Sequence, residues 1–256
     1  MGYGVGRPER ELSVGEMVSA VFSLYSSRFL EFVTPFVLAG LVSGMISSVT
    51  FSFFPLDFMA HRPVGADVIS WMLSNLGTLI LTILFLGLVS WVIYTIVGGL
   101  AVKFASDLIE YGEADYRVGF NEVISRLPSL LGAGLITAVL IGLGLILFIL
   151  PGVILAIIFS LVVPVIMIER LSAFRSLSRS RLLVRNRWGK TFALLLIVAV
   201  IIVLADLIAG SIVASVTQPP VSSIFTALVS SILQPLYFIS TTILYYSMIV
   251  REPPEA

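Results

Sequence analysis

Long stretches without a charged side chain alternate along this chain with short polar ones, and that alternation predicts its elements. Val33 to Leu56 and Val68 to Val102 hold no Asp, Glu, Lys or Arg. Ser129 to Ile168 is a charge-free run of double length, interrupted by Pro151-Gly152. Thr191 to Val250 is longer still, carries one charge at Asp206, and contains the turn signal Gln218-Pro219-Pro220. A bilayer core about 30 Å thick takes roughly 20 apolar helical residues. Splitting the two long runs at their proline signals therefore gives six spans, at 32–54, 71–100, 129–150, 153–168, 191–215 and 221–249. The expected fold class is all-α: one polytopic membrane domain with amphipathic helices at its cytoplasmic interface.

The polar stretches carry their own patterns. Ser13 followed by Glu16 fits a capping box. After it, Val14, Met17, Val18, Val21, Leu24, Tyr25 and Phe29 recur at helical spacing. This predicts an amphipathic entry helix over 12–30, lying in the plane of the interface or packed as core between other helices. The segment 103–128 mixes acids and bases. It is expected to prolong the second span by two turns, turn at Gly112, and form a short helix ending before Pro128. The segment 172–188 holds Arg175, Arg179, Arg181, Arg185 and Arg187 without one acid, interleaved with Phe174, Leu177, Leu183 and Trp188. A basic amphipathic helix of this kind suits anionic headgroups, with Arg giving bidentate contacts to phosphate. The plainer readings are that these arginines only fix topology, or that the acids of 103–128 clasp them.

Charge placement sets the orientation. With both termini and the segments 103–128 and 169–190 inside, 14 of the 15 Lys and Arg residues are cytoplasmic and Arg62 alone is outside. The first 30 residues are too polar for a cleavable signal peptide, so the expected location is the plasma membrane, multi-pass.

Composition narrows the chemistry. Of 256 residues, 58% are hydrophobic and 12% charged, with a mean hydropathy of +1.09; a soluble enzyme cannot bury that much apolar surface. There is no Cys and one His, His61, which leaves no thiolate chemistry and no His-based metal site. No catalytic constellation, phosphate loop or nucleic-acid-binding motif is present, and no cofactor is expected. Gly40-x-x-x-Gly44, Gly98-Gly99, Gly132-x-Gly134 and Gly142-x-Gly144 allow close helix approach. Inside the spans, Asp206 is the only ionisable residue. Gln234 falls at comparable depth, and Asn75 enters from the outer side. The three are expected to form a buried polar cluster, acting as interhelical glue or as the floor of a transport site.

The motifs Leu150-Pro151-Gly152, Val163-Pro164-Val165 with Glu169, Arg179-Ser180 through Leu183-Val184-Arg185-Asn186-Arg187-Trp188, and Pro235-Leu236 with Leu244-Tyr245-Tyr246 follow one another in a suggestive order. In them the chain resembles an uncharacterised prokaryotic six-span family related to the membrane domain of glycerophosphodiester phosphodiesterase. The resemblance implies the same span order. The phosphodiesterase activity of that family lies in a soluble catalytic domain absent here, so no catalytic residue carries over. Two function classes follow: a non-enzymatic component binding membrane lipid, a partner protein or a second copy, and a small transporter or permease subunit built around Asp206.

Overall fold

The computed structural model describes residues 6–52, 66–216 and 221–250. Among them the chain forms helices and no strand: α1 Val14–Ser27, α2 Phe29–Ser52, α3 Ala66–Tyr111, α4 Tyr116–Leu147, α5 Ile149–Ile158, α6 Val162–Ile168, α7 Ala173–Val184, α8 Trp188–Val216, α9 Val221–Leu233 and α10 Pro235–Ile249. Six units are long and apolar enough to cross a membrane: α2, α3, α4, α5 with α6, α8, and α9 with α10. The protein is an all-α, multi-pass membrane protein. Arg62, His61 and the Gln218-Pro219-Pro220 turn lie outside the described residues.

The entry helix begins as its sequence dictates. The Ser13 N–H donates to Glu16 Oε2 at 2.8 Å, and the Glu16 N–H returns to Ser13 Oγ at 3.4 Å. Arg10 also bonds Glu16, and these donors hold its carboxyl near pKa 2 instead of 4.5. The apolar face of α1 does not rest on headgroups. Met17, Val21, Leu24 and Tyr25 are buried in the same core as Phe32, Phe36, Leu244 and Met248. The core reading of this helix is the one its contacts support, because α10 and α8 offer it an apolar surface.

Three boundaries differ from the proline signals. The third and fourth spans separate at Phe148, where the backbone is extended (φ −159°, ψ 148°). Pro151 and Gly152 instead sit in the first turn of α5. Proline is tolerated there because first-turn N–H groups have no helical acceptor. Gly152 is needed for contact, since a Cβ there would come within 2.8 Å of the Leu145 backbone nitrogen. Second, no short helix ends before Pro128; α4 runs through that residue without a break. Gly112 does end α3 as expected, with φ +76°, and Asp115 caps α4 by accepting from the Arg117 N–H at 2.7 Å. Third, the fourth span breaks between α5 and α6. Pro164 has no N–H for the Ser160 carbonyl, and the chain passes through 159–161 in tight turns.

The last span is the axis of the bundle. From Leu236 to Met248 nearly every α10 residue is buried. It runs parallel to α3 in a fixed register. Gly98 faces the Phe238 ring and Ser106 Oγ meets Tyr246 Oη at 2.7 Å, both pairs 140 residues apart. Gly98 has no Cβ because the Phe238 ring occupies its place. The bundle's outer surface is apolar, with Leu81 69%, Leu207 65% and Ile146 83% exposed. In water this would drive association. In a bilayer these residues face acyl chains, and the helices are held by packing and hydrogen bonds.

Candidate functional site in the arginine helix and the bundle interior

The two chain ends and the charged segments meet at one end of the bundle, here termed the basic end. Four consecutive residues of α10 organise it. Tyr245 donates to Glu169 Oε1 at 2.9 Å, and Tyr246 to Glu110 Oε1 at 2.7 Å. Ser247 Oγ accepts from the Leu12 N–H at 2.9 Å, and the Met248 carbonyl from Arg187 at 2.8 Å. Each bond reaches a different part of the chain. Arg7 adds a 2.6 Å ion pair to Glu110 and lies over the Tyr246 ring, which raises its already high pKa. Glu11 holds Lys190 at 2.7 Å, with Arg187 at 3.8 Å.

The expected clasp between 103–128 and the arginine helix forms differently. Glu122 pairs with Lys103 at 3.2 Å and with Arg170 at 2.8 Å, and Arg126 donates to the Arg170 carbonyl at 3.1 Å. Arg170 lies just before α7, so among the described residues these contacts grip the segment that leads into the helix. Its backbone is left-handed, φ 58°.

The five arginines of 172–188 are used in two ways. The Arg179 Nε–H is shared between both carboxylate oxygens of Glu169 at 2.9 Å, and Arg187, beyond the helix end, is taken by Glu11 and Met248. These two are structural. Arg175, Arg181 and Arg185 are exposed and have no ion pair among the described residues. The apolar partners divide likewise: Leu177, Leu183 and Val184 are buried, while Phe174, Leu182 and Trp188 are 75%, 61% and 56% exposed. Arg181 and Arg185, one turn apart, rise with Trp188 and Val184 on one wall of a groove. Ile154, Ile157 and Ile158 form the other wall, enclosing about 270 Å³. The helix is held there by Ser180, whose hydroxyl donates to the Ile158 carbonyl at 2.7 Å and accepts from the Leu161 N–H at 3.3 Å. These are backbone groups exposed by the break between α5 and α6.

In the bundle interior the polar residues are arranged around a second break. Pro235 separates α9 from α10 and has no N–H for the Ser231 carbonyl one turn earlier. The neighbouring Ile232 carbonyl accepts from the Tyr25 hydroxyl of α1. Tyr94 of α3 lies near Gln234 and Ser231, and the Ser231 hydroxyl donates to the Ala227 carbonyl of its own helix at 2.6 Å. Asp206 lies within α8 and Gln234 at the junction of α9 and α10. Asn75 lies apart from Gln234. Its amide donates to the Trp71 carbonyl at 3.0 Å and to Ser74 Oγ at 3.2 Å, within its own helix. It sits 19 residues before Tyr94, about 28 Å along α3. Tyr94, near Gln234, reads in sequence as merely apolar within a charge-free run. Among the described residues no group of three or more His, Cys, Asp or Glu side chains is placed to hold a metal ion.

No protein-family model matches the chain, and searches of curated proteins and of solved structures found no match.

Proposed function

We propose that this protein is a non-enzymatic component of the plasma membrane that binds anionic phospholipid through α7, with both termini and the basic end on the cytoplasmic side. One observation carries the reading. Arg175, Arg181 and Arg185 are exposed and without an acid partner among the described residues, beside exposed Phe174, Leu182 and Trp188. A cation that only fixes topology needs no apolar companions. A headgroup site does, because the phosphate meets the guanidinium while the glycerol and upper acyl chain meet the indole and the isoleucines. Each basic residue at such a surface contributes about 1 kcal/mol of attraction.

The test separates these arginines from the structural ones. Arg175→Gln, Arg181→Gln and Arg185→Gln combined are expected to leave the fold intact. The variant should retain less anionic lipid in native mass spectrometry, and the wild-type association should weaken with added salt. Arg179→Gln alone is expected to keep the lipid and lower thermal stability, since it removes the cation paired with Glu169 and leaves it only the Tyr245 hydroxyl. Equal retention by wild type and the triple variant, at low and high salt, would defeat the reading.

A further inference from the structure

Helix α2 carries Pro35 near its start, and a furrow in the bundle surface follows from it. Pro35 has no N–H for the Glu31 carbonyl one turn earlier. The Tyr116 hydroxyl, at the start of α4, donates to that carbonyl instead, and its ring stacks on Phe104 of α3 with centroids 4.7 Å apart. These contacts pin the first turn of α4 beside α2 and close one end of the furrow, whose bed is α3. Ala39, Val97 and Leu100 form the bed, and all three are buried. Leu38, Val42 and Phe120 stand exposed at the rim. The furrow encloses about 590 Å³.

Its residues set its depth in a bilayer. The closed end lies at the 3.0 Å ion pair of Arg28 with Glu31, the last charges before the apolar run that opens at Val33. From Leu30 to Val42 the furrow extends about 18 Å at 1.5 Å per residue. One leaflet of the hydrocarbon core is about 15 Å deep. The furrow therefore runs from the interface at the basic end to about the midplane.

Dimensions and chemistry select the occupant. About 590 Å³ over about 18 Å gives a mean width of about 6 Å. A helix, from a second copy or another protein, is about 10–12 Å across. An extended peptide is narrower, but its backbone N–H and C=O groups need partners in lipid. The polar groups lining the furrow are already engaged. Arg28 holds the Glu31 carboxylate, Tyr116 the Glu31 carbonyl, and the Thr34 hydroxyl donates to the Leu30 carbonyl at 2.6 Å. A polymethylene chain needs no such partner and is about 4–5 Å across at carbon contact distances. Its packing against the bed recovers dispersion contacts that an empty furrow forfeits.

We propose that this furrow binds one acyl chain of a phospholipid from the leaflet at the basic end, holding the lipid by its tail whatever its headgroup. The furrow lies between α2, α3 and α4, apart from the exposed face of α7, and does not depend on the anionic-lipid reading of that helix.

The experiment reconstitutes the purified full chain in phosphatidylcholine vesicles that contain a small fraction of phosphatidylcholine with a photoactivatable diazirine in its tail. No anionic lipid is present, so α7 lacks its ligand and the two proposals fail separately. After irradiation the labelled peptides are mapped. Label on 30–42 and 93–100 is expected to exceed that on the exposed α8 segment around Leu204 and Leu207 about fivefold, a preference of about 1 kcal/mol. Val42→Trp fills the midplane end of the furrow and should reduce its label to the α8 level with an unchanged melting temperature. Should that variant fail to fold, Thr34→Trp, at an exposed position near the other end, is read in the same way. Label spread evenly over the furrow and α8, an annular lipid only, overturns the proposal. So does furrow label that a folded tryptophan variant leaves unchanged. A wild-type dimer in native mass spectrometry that Val42→Trp breaks also overturns it, since a second copy would then occupy the furrow.

Discussion

Arg170 shows how one residue can be both strained and needed. It follows α6 in the left-handed region, a position that usually belongs to Gly and costs an L-residue about 1–2 kcal/mol. Arg is kept there by its side chain, which reaches Glu122, and by its carbonyl, which Arg126 holds. The two contributions can be separated. Arg170→Ala loses the ion pair and keeps the strain, whereas Arg170→Gly loses the ion pair and relieves the strain. Arg170→Ala should therefore be the less stable of the two by about 1 kcal/mol, read from thermal melts of the two purified variants. Equal melting temperatures would show that the backbone at 170 relaxes without cost. Nothing in the sequence announces this residue. An arginine after an apolar run reads as a topology charge, and its left-handed backbone is set by the direction in which α7 must leave.

At the level of elements, breaks matter more than helices. Both interrupted spans are interrupted by proline, and both expose backbone groups that a distant hydroxyl recovers: Ser180 at the α5–α6 break and Tyr25 at the α9–α10 break. In lipid no water is at hand to do so. Ser180→Ala should cost about 1–3 kcal/mol, because it leaves the part-buried Ile158 carbonyl and the buried Leu161 N–H without this partner. Ser178→Ala, on the exposed side of α7, should change stability by no more than about 0.5 kcal/mol. Thermal melts of the pair measure the difference, and equal stability would mean that α7 is seated by packing alone. The spans themselves were legible, because a charge-free run of sufficient length has only one stable fate in a bilayer. The capping box and the turn at Gly112 were legible for a similar reason, their signals being local. The break at Phe148 was not. Pro151 is as compatible with a first helical turn as with a loop, and the close approach of Gly144 to Gly152 decides between them. Nor was the sorting of the arginines visible. Arg179 and Arg175 look alike in sequence, and only the position of Glu169 beside Arg179 distinguishes them. Tyr94 escaped notice because a tyrosine inside an apolar stretch shows its ring to a hydropathy pattern and hides its hydroxyl.

Across the whole molecule, the basic end ties the first described residues of the chain and the end of α10 to one side of the bundle. Arg7 reaches Glu110, Leu12 reaches Ser247, and Glu11 reaches Lys190, so residues near the start meet the ends of α3, α10 and the start of α8. Six crossings require this arrangement, since an even number returns the chain to the side it left. The same end carries Arg117, Arg126, Arg170 and the arginines of α7, which the positive-inside bias assigns to the cytoplasm. The opposite end carries the apolar tip from Ile146 to Leu150, each residue at least 70% exposed, which suits lipid. Because the chain has no Cys, single cysteines report orientation without background. Arg117 lies exposed in the first turn of α4, close to Asp115 and away from the ion pairs of the basic end. A membrane-impermeant thiol reagent added to intact cells should label Arg62→Cys and miss Arg117→Cys, and permeabilising the cells should make Arg117→Cys reactive. Labelling of Arg117→Cys from outside would invert the bundle. It would also remove α7 from the leaflet where anionic lipid is concentrated, and with it the physical basis for a headgroup site on Arg175, Arg181 and Arg185.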